Sequence, residues 1–165
     1  MRDTFGREVD YLRVSITDRC NLRCQYCMPE EGVPFRPHAD ILRYEEIERV
    51  IAAAATLGFR RVRITGGEPL VRKGCPGFVR RVATIPGIVD VSLTTNGVLL
   101  GEMACELKQD GLCRVNVSLD TLRPERFAAI TRRPEFRRTW HGIMAALECG
   151  LQPVKLNVVL MAGVN

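Results

Sequence analysis

Cys20, Cys24 and Cys27 fall within eight residues, directly after a strand-like run. Three thiolates so close in sequence can converge on one soft metal centre, and their number matters. A closed structural zinc site takes four ligands, usually as two separated cysteine pairs. Ordinary iron–sulfur clusters also take four cysteines. A triplet with no fourth cysteine nearby leaves one metal corner open, where chemistry can happen. The plain alternative is three reduced cysteines on a loop, with no metal. Further along, Gly66-Gly67-Glu68-Pro69 offers bare backbone to a ligand and a carboxylate that could hold an ammonium group. Alone, that glycine pair is only a turn signal, as is Asn96-Gly97.

These residues need elements to position them. Strand-like runs cover residues 11–17, 61–65, 90–95, 114–120 and 154–160. Helical patterns cover 44–57, 78–83, 102–109, 124–130 and 139–148. Gly58, Gly111 and Gly150 each stand just past a helical run, where a left-handed cap needs no Cβ. Such alternation predicts parallel βαβ units with right-handed crossovers, either as an open doubly wound sheet or as a β/α barrel.

The two faces of the strands decide between them. Residues two apart share a face. Arg13, Ser15, Arg63, Thr65, Ser92, Thr94, Asn116, Ser118, Lys155 and Asn157 make one face polar in all five strands, and the other face is apolar. Parallel strands are normally apolar on both faces, and barrel interiors are filled with branched aliphatics. A sheet curled around a polar ligand explains the departure. The expected fold class is α/β: a partial (β/α) barrel of about five parallel strands with outer helices and a polar interior. Ligands in such folds bind at the carboxyl ends of the strands. The cysteine triplet, the two glycine pairs and Ser118 all fall there, which raises the pairs above ordinary turns.

Composition narrows the classes. The 165 residues, 26% of them charged, suffice for one domain with a real core and exclude disorder. No apolar run is long enough for a bilayer, and the first residues lack the apolar core of a signal peptide. The seven cysteines are odd in number and without paired spacing, which suits a reducing cytoplasm. Cys75, Cys105, Cys113 and Cys149 are expected to be small buried hydrophobes, and Trp140 to be core. The net charge of +5 comes mostly from arginines interleaved with acids, without the stacking aromatics of a nucleic-acid surface. Neither nucleic acid nor membrane is therefore expected as a partner.

The triplet, with Tyr26 just before its last cysteine, resembles the signature of the radical S-adenosylmethionine (radical SAM) superfamily, and the Gly66–Pro69 run resembles a second motif of that group. More narrowly, the runs at 11–20, 63–69, 94–97, 116–120 and 154–157 together resemble the GTP 3′,8-cyclase family, which performs the first step of molybdenum cofactor biosynthesis. The resemblance covers essentially the whole chain, in the right order. It implies that Cys20, Cys24 and Cys27 ligate a 4Fe-4S cluster whose fourth iron chelates S-adenosylmethionine. It implies S-adenosylmethionine contacts for Tyr26, Gly67 and Ser118, and GTP contacts for Arg13, Arg63, Thr94 and Lys155. A 5′-deoxyadenosyl radical would take hydrogen from C3′ of GTP, and C3′ would then bond to C8 of guanine. Downstream, pyranopterin monophosphate synthase would take the product, and a homodimer is left open.

The family continues with a sixth βα unit and a second, cysteine-held cluster. Residues 1–165 are thus expected to be the N-terminal portion of a radical SAM core, able to hold the first cluster but not to complete cyclisation alone. Without the resemblance, Arg13, Arg63 and Lys155 read equally well as salt-bridge partners inside the barrel. Tyr26 reads as loop packing, and Asp120 as a structural hydrogen-bond acceptor. His38 and His141 read as structural or exposed. Two rivals stand beside the cyclase: another radical SAM enzyme acting on a peptide or cofactor precursor, and a non-catalytic metal-binding module.

Overall fold

The computed structural model describes residues 2–165. Five short strands form a single parallel sheet: β1 Tyr11–Ser15, β2 Arg61–Thr65, β3 Asp90–Thr95, β4 Arg114–Ser118 and β5 Val154–Asn157. Their order in the sheet is their order in the chain. A doubly wound sheet reverses strand order at a switch point; this one never reverses, as a barrel wall requires. β2 and β3 have the bounds that the sequence pattern gives. β1, β4 and β5 stop two or three residues earlier, because the chain leaves the ladder to build the rim. Ile16 still donates to Thr65 O and Leu119 to Asn157 O, both one step past the strand ends.

Helices α1 Tyr44–Thr56, α2 Cys75–Ala83, α3 Leu100–Gln109, α4 Pro124–Thr131 and α5 Phe136–Glu148 join the strands. They pack on the apolar face. Val62, Ile64, Leu93, Val115 and Val117 are fully buried there, together with Ile51, Phe78, Leu100 and Leu107 from the helices. Burial of each such side chain contributes roughly 1.5–3 kcal/mol, so this face fixes which side of the sheet is left for a ligand. Tyr44 stacks on Phe78 at 4.5 Å and locks α1 to α2.

α3 and α5 pack most intimately. A Cβ on Gly142 would lie 2.3 Å from Gly97 O, so α5 seats directly on the turn that follows β3. Two sequence expectations fail along this seam. Cys105 of α3 and Cys149, just past α5, form a disulfide rather than two separate buried thiols. Their Cα atoms are 5.0 Å apart because the two helices run in contact, a proximity invisible across 44 residues of sequence. Trp140 is 43% exposed rather than core. Thr139, Ile143 and Ala146 take the buried face of α5, which leaves Trp140 to stack on Phe136 at 6.4 Å outside it. Cys75 is buried as expected, but Cys113, just before β4, is only half-buried.

The other face carries the polar residues in rows. Arg13 is level with Arg63, Arg63 with Ser92, and Ser92 with Arg114. One row nearer the carboxyl ends, Thr94 is level with Asn116 and Asn116 with Lys155. Among the described residues, no helix is long and apolar enough to cross a membrane.

Candidate metal centre

The segment from Cys20 to Cys27 is clamped from two sides. On one side is the glycine turn: Gly67 N donates to Thr17 O at 2.7 Å and Glu68 N to Arg19 O at 2.7 Å. A Cβ on Gly67 would lie 2.4 Å from Arg19 O, so only a bare backbone can approach this closely. On the other side is the end of α4. Arg23 N and Gln25 N donate to the carbonyls of Thr131 and Ile130, each at 2.9 Å. Those bonds satisfy helix-end carbonyls that would otherwise lack partners. Arg132 reaches back to the carbonyls of Arg23 and Met28. Within the segment, Cys24 O accepts from Cys27 N at 2.9 Å, a single turn that brings both thiols round to one side.

The three thiols line one hollow of ≈220 Å³, whose wall also includes Tyr26, Gly67, Ser118, Thr94 and Arg13. Eight of the ten expected site residues therefore meet at one opening. Arg63 and Lys155 do not line it. They stand beside it on the same face, Arg63 level with Arg13 and Lys155 level with Asn116. A larger hollow of ≈480 Å³, bordered by Arg19, Arg36, Arg43, Arg72 and Lys73, opens elsewhere and contains no thiol. The smaller one holds all three thiols.

Several roles differ from the sequence reading. Glu68 does not present its carboxylate to a ligand. It is 1% exposed and accepts from Leu70 N at 3.1 Å, Thr95 Oγ1 at 2.7 Å and Asn96 N at 2.6 Å. Burial pushes its pKa up, and the three donors pull back only in part. Glu68 is a brace between the turns after β2 and β3. Asp120 is a second brace, acting as the structural hydrogen-bond acceptor that the sequence reading gave. It accepts from Tyr26 Oη at 2.7 Å and from Val159 N at 2.9 Å, tying the cysteine segment to β4 and the chain after β5. His38 and His141 are both exposed. Sequence reasoning missed the link from Asn96 to the cysteine segment. The signal was Asn96 itself: a turn residue with a free amide at the carboxyl end of β3.

The donor set fits an iron–sulfur cluster. Among the described residues, no three His, Cys, Asp or Glu side chains converge tightly enough to hold a single ion. The three thiols do share one hollow, and thiolates are the ligands by which iron–sulfur clusters are held. Burial pushes the Cys20 thiol up and the Cys24 thiol up to about 11; charge repulsion from Glu68 and Cys27 adds to the first shift, and from Cys20 and Cys27 to the second. A cationic centre reverses that balance and draws the thiolates out. Deeper on the polar face, Tyr11 Oη, Arg63 Nε and Asn116 Oδ1 are buried without a hydrogen-bond partner. Such atoms are costly unless something polar meets them.

Comparison with known proteins gives the family and the architecture. The profile described as the Radical SAM superfamily matches residues 14–165. The GTP 3′,8-cyclase of Heliobacterium modesticaldum is 65% identical over 165 residues, which is 100% of this chain and 50% of that protein. The GTP 3′,8-cyclase of Pelotomaculum thermopropionicum is 61% identical, again over 100% of this chain and 51% of the relative. The chain thus spans about half the length of the curated relatives it matches. Among solved structures, methylornithine synthase aligns over 98% of this chain and 47% of its own, with a TM-score of 0.74 at 17% identity. Streptococcus suis SuiB bound to S-adenosylmethionine aligns over 92% and 34%, with a TM-score of 0.70 at 21% identity. These two establish the shared architecture.

Proposed function

The chain belongs to the radical SAM superfamily, and on that premise we propose that it forms the S-adenosylmethionine-binding core of a GTP 3′,8-cyclase. Membership brings an iron–sulfur cluster and S-adenosylmethionine. When bound, the cluster supplies one electron for reductive cleavage of the sulfonium, which starts radical chemistry on the substrate. The overall reaction proposed is closure of the C3′–C8 bond of GTP to 3′,8-cyclo-7,8-dihydro-GTP, and the product would pass to pyranopterin monophosphate synthase.

In this reading Cys20, Cys24 and Cys27 would hold the cluster, leaving one of its irons open to S-adenosylmethionine. Gly67 contributes bare backbone beside it, while Tyr26 and Ser118 close the wall of the same hollow. Arg13, Arg63 and Lys155 bind the triphosphate, because a multiply charged anion needs fixed cations and planar guanidinium donors. Thr94 faces the nucleotide from β3. The observation that carries the proposal is the order of rows along the polar face. The thiols stand at the carboxyl rim, Thr94 and Lys155 one level down, and the Arg13–Arg63 pair below them. Reacting atoms at the top and phosphates at the bottom give the nucleotide one orientation.

Anaerobic reconstitution tests this reading. The expected result is a brown protein that cleaves S-adenosylmethionine to 5′-deoxyadenosine and binds GTP. Replacement of any one of the three cysteines by alanine should abolish cluster assembly. A colourless protein that takes up zinc would favour the non-catalytic module. Cleavage of S-adenosylmethionine without GTP binding would move the substrate to another class.

A further inference from the structure

We propose that Asn96 is an outer-sphere ligand of the metal centre, whose side-chain amide donates a hydrogen bond to the Cys20 sulfur and thereby raises the reduction potential of the cluster. The proposal rests on the reading of the three thiols as cluster ligands.

Asn96 is held at four points. Its backbone N–H donates to Glu68 Oε2 at 2.6 Å, and its carbonyl accepts from Thr139 Oγ1 at 3.2 Å. Its side-chain Oδ1 accepts from Val98 N at 3.0 Å. That bond settles which way round the amide sits, because the oxygen must face the backbone N–H. The nitrogen is therefore turned toward the cysteine segment. There Nδ2 lies 2.7 Å from Asn21 Oδ1 and 3.8 Å from Cys20 Sγ. Cys20 Sγ also receives Leu22 N at 3.4 Å. Both N–H contacts to a cysteine sulfur of this segment fall on Cys20, whereas the Cys24 sulfur is met by the Tyr26 hydroxyl. The thiolates are thus unequal, and Cys20 is the one supported by N–H donors.

The consequence follows from charge. Reduction adds an electron that spreads over iron and sulfur, and a donor aimed at a ligating sulfur stabilises the reduced form more than the oxidised form. Glu68 takes part at one remove. Its buried carboxylate fixes the Asn96 backbone, so the carboxylate of the Gly66–Pro69 motif positions the amide without touching the cluster.

The experiment uses the complete protein that contains this chain, reconstituted anaerobically, with the cluster potential read by dye-mediated titration under EPR. Asn96→Asp keeps the acceptor for Val98 N and loses the donor. The expected result is full iron content with the midpoint moved to a more negative value, and Asn96→Ala should move it in the same direction. A wild-type midpoint in an iron-replete Asn96→Asp variant would overturn the proposal. Should neither variant take up iron, wild-type protein labelled with ¹⁵N in the asparagine side-chain amides decides. A ¹⁵N hyperfine coupling to the reduced cluster supports the contact, and its absence overturns it. A wild-type protein that forms no cluster at all would sink the underlying reading of the thiols, a result distinct from either of these.

Discussion

Arg63 is the residue whose surroundings most call for a ligand. Its guanidinium lies 5.2 Å from the centre of the Tyr11 ring, and its Nε is buried without a partner. Arg63→Ala in the complete protein should weaken GTP binding by roughly ten- to a hundredfold, as loss of charged hydrogen bonds does. Cluster content should stay unchanged, and calorimetric titration with GTP checks it. Arg63→Lys should fall between, since it keeps the charge but not the fork. Glu68 gives a pH prediction. A carboxyl whose folded pKa is raised contributes stability that is fully present below its unfolded pKa and is lost as pH rises through the folded value. Wild-type unfolding temperature should therefore fall on going from acid toward neutral pH more than that of Glu68→Gln, which cannot ionise. Parallel slopes would refute it. The sequence announced Glu68 as a carboxylate beside a ligand, but not that the turn rotates it inward onto Thr95 and Asn96. Motifs state residue types, and only the packed turn states direction.

At the scale of elements, β2 and β3 were legible because their alternation of polar and apolar residues stops where the ladder stops. In β1, β4 and β5 the same alternation runs on into the rim, so the pattern overshoots. The seam between α3 and α5 was not legible, because nothing local marks Gly142 or Cys149 as touching a partner far away in sequence. Gly142→Ala tests that seam. Its Cβ would meet backbone, which cannot yield as a flexible side chain can, so a loss of about 1–3 kcal/mol is expected by urea titration. The Cys105–Cys149 bridge closes a loop with a sequence separation of 44, for which stabilisation of roughly 2–4 kcal/mol is expected. Thermal unfolding of Cys105→Ser against wild type, without reductant, measures it.

For the whole molecule, the outer margin of β5 matters most. Leu156 and Val158 to Leu160 are exposed there, Leu160 at 84%. An unpaired strand edge with apolar neighbours invites pairing with another chain. The 165-residue chain alone is expected to self-associate at micromolar concentration, and Leu160→Lys together with Val158→Lys should restore monomers by light scattering. The barrel was legible in outline from the polar face. Its braces at Glu68, Asp120 and Asn96 were not, since each joins segments that only the curled sheet brings together.

A wall wound in one direction can be built in the order in which a ribosome delivers it. Each new strand meets a finished neighbour, so no early strand has to wait for a late one to be slotted between it and the next. The sulfur-bearing segment belongs to the first of these additions, yet the carbonyls of α4 that clamp it are synthesised roughly a hundred residues later. During translation the cysteine segment is therefore held first on its glycine-turn side, and it gains the second clamp only when the fourth unit lands.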